Sequence, residues 1–271
     1  MFKFIREMSD AIKEGVAEAK TEMAEDKAAD DRKTTEAEAA EQALIDATTD
    51  TVQFSVALGA PYREVYLGCI GIFGTRPVTP LFVIDFDENE HKDYAKLLSR
   101  DFNIVDGNSA RDAVELFDLE INNGTGFAQI YRELKSNNVF DRLDSDDVAI
   151  VDSPYAKGAV DAVLDCERQF GLGESGGDAF RIAVASHICF GSAALGVLSH
   201  EEAIELFEPF RLRALSSYSD WTQYSAGFLA GQNAWVYQKF AGQRILEKAV
   251  KKLLSNEKSP WNVLGWGCCE P

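Results

Sequence analysis

Histidine is scarce in this chain, with three copies in 271 residues, and cysteine is nearly so, with five. His91, His187 and His200 include no pair at helical spacing, so no two-histidine metal motif can be read from them. Cys69, Cys166, Cys189, Cys268 and Cys269 are odd in number, mostly far apart and without a CxxC spacing. That pattern argues against a disulfide framework or a zinc knuckle and for reduced thiols in a cytosol. The closing Cys-Cys-Glu-Pro puts Cys268 fourth from the end, as prenylation requires, yet its acidic and proline positions fit that signal badly.

Long apolar runs are missing as well. The least polar stretch, His187 to Leu198, is too short to span a bilayer, and Met1 to Met23 lacks the continuous apolar core of a signal peptide. A soluble, cytoplasmic protein without stable membrane association is expected. Positive charge is in short supply: 27 Lys and Arg face 45 Asp and Glu, for a net charge of −18. A field of that sign repels nucleic acid and anionic headgroups, and no concentrated basic patch is legible to overcome it. The same field steers a basic protein partner toward the surface.

Motifs for cofactors and metals fail on inspection. Gly171-Leu172-Gly173 and Gly176-Gly177 precede a helix start at Asp178, but no lysine and no Walker or dinucleotide spacing accompanies them. A loop in which Asp178 accepts from the first helical amides explains them better. Asp85, Asp87 and Asn89 imitate a calcium loop, whose sixth position is here Glu90 instead of glycine and whose twelfth is Lys96 instead of a carboxylate. Asp144, Asp146 and Asp147 read as a solvated acidic turn. No metal site and no cofactor is expected.

What the chain does contain is helical pattern. Hydrophobic residues make up 46% of it, enough for a core without covalent staples. Residues 1–50 form a charged helical arm, in which Ile5, Met8, Ile12, Val16, Ala19 and Met23 draw one narrow stripe that could dock a partner or pair with a second copy. Residues 51–271 form the globular part. Val52, Phe54, Val56 and Leu58 alternate as a strand would, although Phe54, Ala57 and Leu58 also suit a helix, and Leu81 to Ile84 could make one buried strand. From Asp93 onward the spacing is helical. Ser109 with Asp112 marks a start, Asn122-Asn123-Gly124 a stop, Ser199 with Glu202 a second start running up to Pro209, and Ser219 a third. The last long helix carries Ile245, Ala249 and Leu253 on its apolar side, with Leu246 and Val250 beside them. Asp178 to Leu195 is nearly continuous in apolar and small residues and is expected to be buried on most sides. Gly191, Ala194, Gly227 and Gly231 allow helix backbones to approach closely. The reading is a mainly α, multi-helix bundle, with room for a short strand or two in residues 52–86.

Two groups invite a functional reading. Asp178 and Arg181, three apart, can pair across one turn and present a guanidinium beside a glycine-rich loop, a structural salt bridge being the plainer account. His187 inside the apolar helix reads as a core histidine more readily than as an acid or base, and pairing it with Cys189 is opposed by their two-residue spacing. Trp221, Trp235, Trp261 and Trp266 all fall in the last quarter, where such a cluster is core or, if exposed, a binding hot spot.

Leu97-Leu98-Ser99-Arg100-Asp101-Phe102-Asn103-Ile104, Asp178-Ala179-Phe180-Arg181, Gly196-Val197-Leu198-Ser199-His200-Glu201-Glu202-Ala203, Ser219-Asp220-Trp221 with Gly231-Gln232-Asn233-Ala234-Trp235, and Ser259-Pro260-Trp261 follow in an order and spacing that resemble the bacterial domain-of-unknown-function family numbered 1266, over about residues 97–266. The resemblance implies a bacterial origin and a helical fold and brings no activity. The chain departs from the family pattern at Gln232, where arginine is usual.

The function expected from these residues is a non-catalytic protein-interaction module, toxin-neutralising (an immunity protein) or assembly-associated, with Trp221, Gln232, Trp235 and Trp261 as candidate binding residues. The alternative is an enzyme that holds an anionic substrate at Asp178 and Arg181, with His187 or Glu202 as acid or base.

Overall fold

A helix that is apolar on every side has to be surrounded by other elements, and Asp178–Ala194 is such a helix. The computed structural model, which describes residues 49–69, 87–142, 155, 157–235 and 241–266, places it at the centre. In chain order the helices are α1 (Asp50–Leu58), α2 (Ala60–Cys69), α3 (Glu88–Phe102), α4 (Gly107–Asn122), α5 (Phe127–Ser136), α6 (Lys157–Phe170), α7 (Asp178–Ala194), α8 (His200–Ser217), α9 (Trp221–Trp235), α10 (Ala241–Ser255) and the single turn α11 (Pro260–Val263). Short 3₁₀ turns occupy Phe140–Arg142 and Gly173–Gly177. Helices α1, α2, α4, α8 and α9 all pack against α7, which is buried from Asp178 through Ala193.

The mainly α, multi-helix reading therefore holds, and no strand occurs among the described residues. The ambiguous run from Val52 resolves as α1. Every residue from Gln53 to Leu58 is buried, so apolar side chains are needed all round, and the apparent alternation is a by-product. Leu81 to Ile84, the arm's stripe from Ile5 to Met23, Asp85, Asp144 to Asp147, Cys268 and Cys269 lie outside the described residues.

Local signals set most boundaries, with corrections. Ser199 and Glu202 bond reciprocally at the start of α8, as their spacing predicts. At α4 the cap is Asp106 with Ser109 as its third residue, three residues earlier than the Ser109 and Asp112 pairing expected. Asp220, whose carboxylate accepts from the Gln223 amide at 2.8 Å, caps α9 in place of Ser219. Helix α8 does not stop at Pro209 but continues to Ser217. Pro209 sits on the exposed side, where water can serve the carbonyl that its missing N–H leaves unbonded. On α10 the buried row is Leu246, Ala249, Val250 and Leu253, and Ile245 is left at the exposed margin.

The C-terminal aromatics knit the ends of the fold together. Trp221 stacks on Trp261 with ring centroids 5.4 Å apart, and Trp266 meets Trp221 edge-on. Their polar atoms are all used: Trp221 Nε1 donates to the Leu264 carbonyl and Trp261 Nε1 to the Ala57 carbonyl, both at 2.8 Å, while the Tyr224 hydroxyl donates to Leu58. Gly227 and Gly231 on α9 lie directly against the carbonyls of Gly176 and Gly177, so close that a Cβ at either position would collide with backbone. That approach seats the 3₁₀ turn, and hence the start of α7, on α9. A smaller apolar cluster, built from Ile130 and Leu134 of α5, Val163 of α6 and Ala230 and Ala234 of α9, adjoins it.

Candidate functional site

The start of α7 is where the flagged charges lie. Asp178 and Arg181 do not pair with each other in the way their spacing suggests. Arg181, only 2% exposed, donates through Nε to Glu120 of α4 at 2.8 Å and through Nη2 to the Thr125 hydroxyl at 2.8 Å. Asp178 accepts a hydrogen bond from Nε of Arg213 on α8 at 3.0 Å, and the Nη2 of the same guanidinium stands 2.9 Å from its carboxylate. The physical reason is geometric. Both side chains point away from the helix toward different neighbours, and each finds an opposite charge brought in by another helix.

The turn that receives Arg181 is shaped for it. Gly124 and Gly126 have φ of +60° and +62°, a region open to glycine, and the backbone of Gly126 passes close under the guanidinium. Nor does Asp178 cap its own helix. The Ala179 amide is taken by the Tyr218 hydroxyl at 2.8 Å, which in turn faces the carbonyls of Ser175 and Gly176. Burial pushes the Asp178 carboxyl up to about 6, against the pull of Arg213 and Arg181.

Two of the candidate binding residues stand in the last turn of α9. Trp235 packs on Phe180 at 5.4 Å and remains 42% exposed. Gln232 is buried, and its Oε1 finds no hydrogen-bond partner. Trp221 and Trp261 stand elsewhere, inside the aromatic core already described, with 7% and 3% of their surface exposed.

His187 lies two and a half turns along α7 from Asp178, about 13 Å at the rise of an α-helix. Tyr62, Tyr66, Tyr94 and Phe102 surround its ring, Tyr66 at 4.3 Å between centroids. Nδ1 faces the Tyr94 hydroxyl at 3.5 Å, and Nε2 has no partner. Burial holds the imidazole down to about 3, so it is neutral. A small cavity of about 20 Å³ adjoins it, lined in part by Arg63, Ser186 and Gly191, with room for one water molecule. Tyr66 donates to Asp101 at 2.6 Å, and Arg100 holds that carboxyl below its usual range. Burial pushes the Cys189 thiol well up, away from thiolate character.

Glu202 is separate again. It is bound by Arg111 and by the Ser199 amide, and the Arg111 bond holds its carboxyl below the usual range. Arg111 and Glu120 stand nine residues apart on α4, so Glu202 and Arg181 engage opposite parts of that helix. Asp178, Arg181, His187 and Glu202 thus occupy three places and do not converge on one. Among the described residues no group of His, Cys, Asp and Glu is arranged to hold a metal ion. Asp87 and Glu90, read in sequence as a broken calcium loop, form the reciprocal cap of α3. Sequence reasoning missed Glu120, Thr125, Arg213 and Tyr218, which no local spacing connects to α7.

One exposed row of side chains lies on α4. Its inner row of Ala110, Val114, Phe117 and Ile121 is buried. Its outer row sets Asp112 and Glu115 among Leu116 and Leu119, whose exposures are 53% and 56%, with Val105 just before the helix at 70%. No helix among the described residues is long and apolar enough to cross a membrane.

A family model described as "Protein of unknown function (DUF1266)" matches residues 85–266, well over half of the chain and from just ahead of α3 to Trp266. No curated protein and no solved structure matches the chain.

Proposed function

The chain belongs to the DUF1266 family, whose description names no activity, and from that premise we propose that it is a non-catalytic interaction module of the bacterial cytoplasm whose acidic surface takes a basic protein partner. A protein that blocks a basic toxin and one that assists an assembly are the two uses this reading covers. The observation that carries it is the outer row of α4. Two carboxylates there flank two leucines that are more than half exposed on a well-formed helix, a combination that gives a basic partner both charge steering and apolar contact. The net charge of −18 extends the same field over long range. The engagement of Asp178 by Arg213 and of Arg181 by Glu120 supports the same reading, because charges committed to joining helices are not held ready for a substrate.

Tagged full-length protein used as bait in its native host tests this. A stoichiometric partner is expected with the wild type, lost with Asp112→Lys/Glu115→Lys, and kept with Glu201→Lys/Glu205→Lys, which changes the net charge equally on α8. Recovery of no stoichiometric partner at either low or moderate salt, or equal loss with both variants, would count against the reading.

A further inference from the structure

Eleven ion pairs tie up most of the described lysines and arginines, from Lys92 on α3 to Lys252, which reaches Glu64 on α2. Lys135 lies over the Tyr131 ring, and Arg63 also has a partner. Among the described residues, the cations that no described side chain engages are Arg244, Lys248, Lys251 and Lys258, and all four are exposed on α10 or the turn after it. Summed charge over the whole chain hides this small island.

The four- and three-residue steps from Arg244 to Lys248 to Lys251 place these cations in one row, opposite the buried Leu246, Ala249, Val250 and Leu253. Ile245 and Leu254, 49% and 38% exposed, border the row on its two sides. The outer row of α4 is its counterpart in charge and pitch. Asp112 and Glu115 are three residues apart, as Lys248 and Lys251 are, and exposed leucines lie beside them.

We propose that the outer face of α10 docks on the outer face of α4 of a second copy of this chain. The proposal rests on the reading of α4 as an acceptor of basic surfaces and names one such surface. A polyanion is a poorer occupant. The basic row is only about 10 Å long at the rise of a helix, too short to offset a whole-chain charge of −18 toward nucleic acid or an anionic membrane, and phosphates make no use of Ile245 or Leu254. Repulsion between two acidic copies is screened beyond about 8 Å at physiological salt, so the facing rows decide the contact. Exposed ion pairs contribute little each, which makes the association weak and dependent on concentration. Because each copy carries one face of each kind, a closed pair or a short head-to-tail row results. Self-association then competes with any foreign basic partner for α4.

Sedimentation velocity of the full chain over a concentration series at physiological salt tests the proposal, with circular dichroism to confirm that each variant is folded. The wild type is expected to shift from monomer to larger species as concentration rises. Lys248→Glu/Lys251→Glu and Asp112→Lys/Glu115→Lys should each weaken that shift by about tenfold or more, and mixing the two variants should restore association, since each supplies the face the other has lost. A wild type that stays monomeric, a shift unchanged by reversal on α10, or a mixture that stays monomeric overturns it. So does binding of duplex DNA or phosphatidylserine vesicles that the α10 reversal abolishes. If the α4 variant loses its native partner while the α10 variant self-associates normally, the docking inference falls and the reading of α4 stands.

Discussion

Nε of Arg181 donates to Oε2 of Glu120 at 2.8 Å, joining the core helix to α4 across 61 positions of sequence. The arginine is almost wholly enclosed while its carboxylate keeps a quarter of its side-chain surface in water. Removing one member of such a pair leaves a charge stranded away from solvent. Arg181→Met should therefore cost about 3 to 5 kcal/mol in urea unfolding, and adding Glu120→Met should recover a large part of that loss. If the double variant is stable and still binds the native partner, the pair is structural. Full stability with complete loss of function would restore the enzyme reading.

Asp178 gives stability a definite pH slope. Its folded carboxyl titrates near 6, above its ordinary value of 3.8, so between those values the folded state holds more proton than the unfolded chain. Stability from this group is thus greatest below 3.8 and falls as pH rises through 6. On going from pH 7 to pH 4.5 the wild type should gain about 2 kcal/mol relative to Asp178→Asn. Urea midpoints at the two pH values check it, and parallel profiles would refute it.

His187 tilts the profile the other way. Its folded pKa is depressed from 6.5 to about 3, chiefly by burial, with Asp101 opposing and Arg63 reinforcing the shift. The unfolded chain therefore takes up the proton first, and stability is lost as pH falls below 6.5. Between pH 7 and pH 5 the wild type should lose about 2 kcal/mol relative to His187→Phe. The same midpoints read on that variant decide the matter.

Two glycines should respond oppositely to alanine. At Gly231 a Cβ has to displace the Gly177 carbonyl and the Phe180 side chain, so Gly231→Ala should destabilise by about 3 kcal/mol or more, or prevent folding. Gly158, in the first turn of α6, has nothing within 4 Å of the same position. Gly158→Ala should raise stability by about 0.5 kcal/mol through the unfolded chain's lost freedom. Thermal midpoints of the two variants give the comparison.

What was legible in sequence was what is local. Ser199 and Glu202 are three residues apart, and the bonds they make are with each other, so their spacing carries the answer. The apolar composition of α7 likewise announces its burial, because a helix without a polar side has no other place to be. The Asp178 and Arg181 pairing was misread for the converse reason. Spacing along one helix names only the partners that helix itself offers, while Arg213 and Glu120 arrive from α8 and α4 through tertiary packing. Helix α1 was ambiguous because enclosure on every side erases the periodicity that separates helix from strand. Among the aromatics, composition could not tell Trp221 and Trp261, which are enclosed, from Trp235, which reaches the surface. The basic row of α10 was hidden by counting charge over the whole chain when its meaning lies in one helix face.

Trp261 Nε1 and the Tyr224 hydroxyl hold the carbonyls of Ala57 and Leu58. The earliest described helix is thus fastened by residues made 166 and 204 positions later. During synthesis on the ribosome, α1 can meet α7 first, but Phe54 must wait for Trp221 and Trp266 before its ring is covered on that side. A product cut short before Trp261 would lack the Ala57 bond and the Trp266 ring on Phe54, and chaperones and proteases, not a partner protein, would be the first to meet that loosened edge.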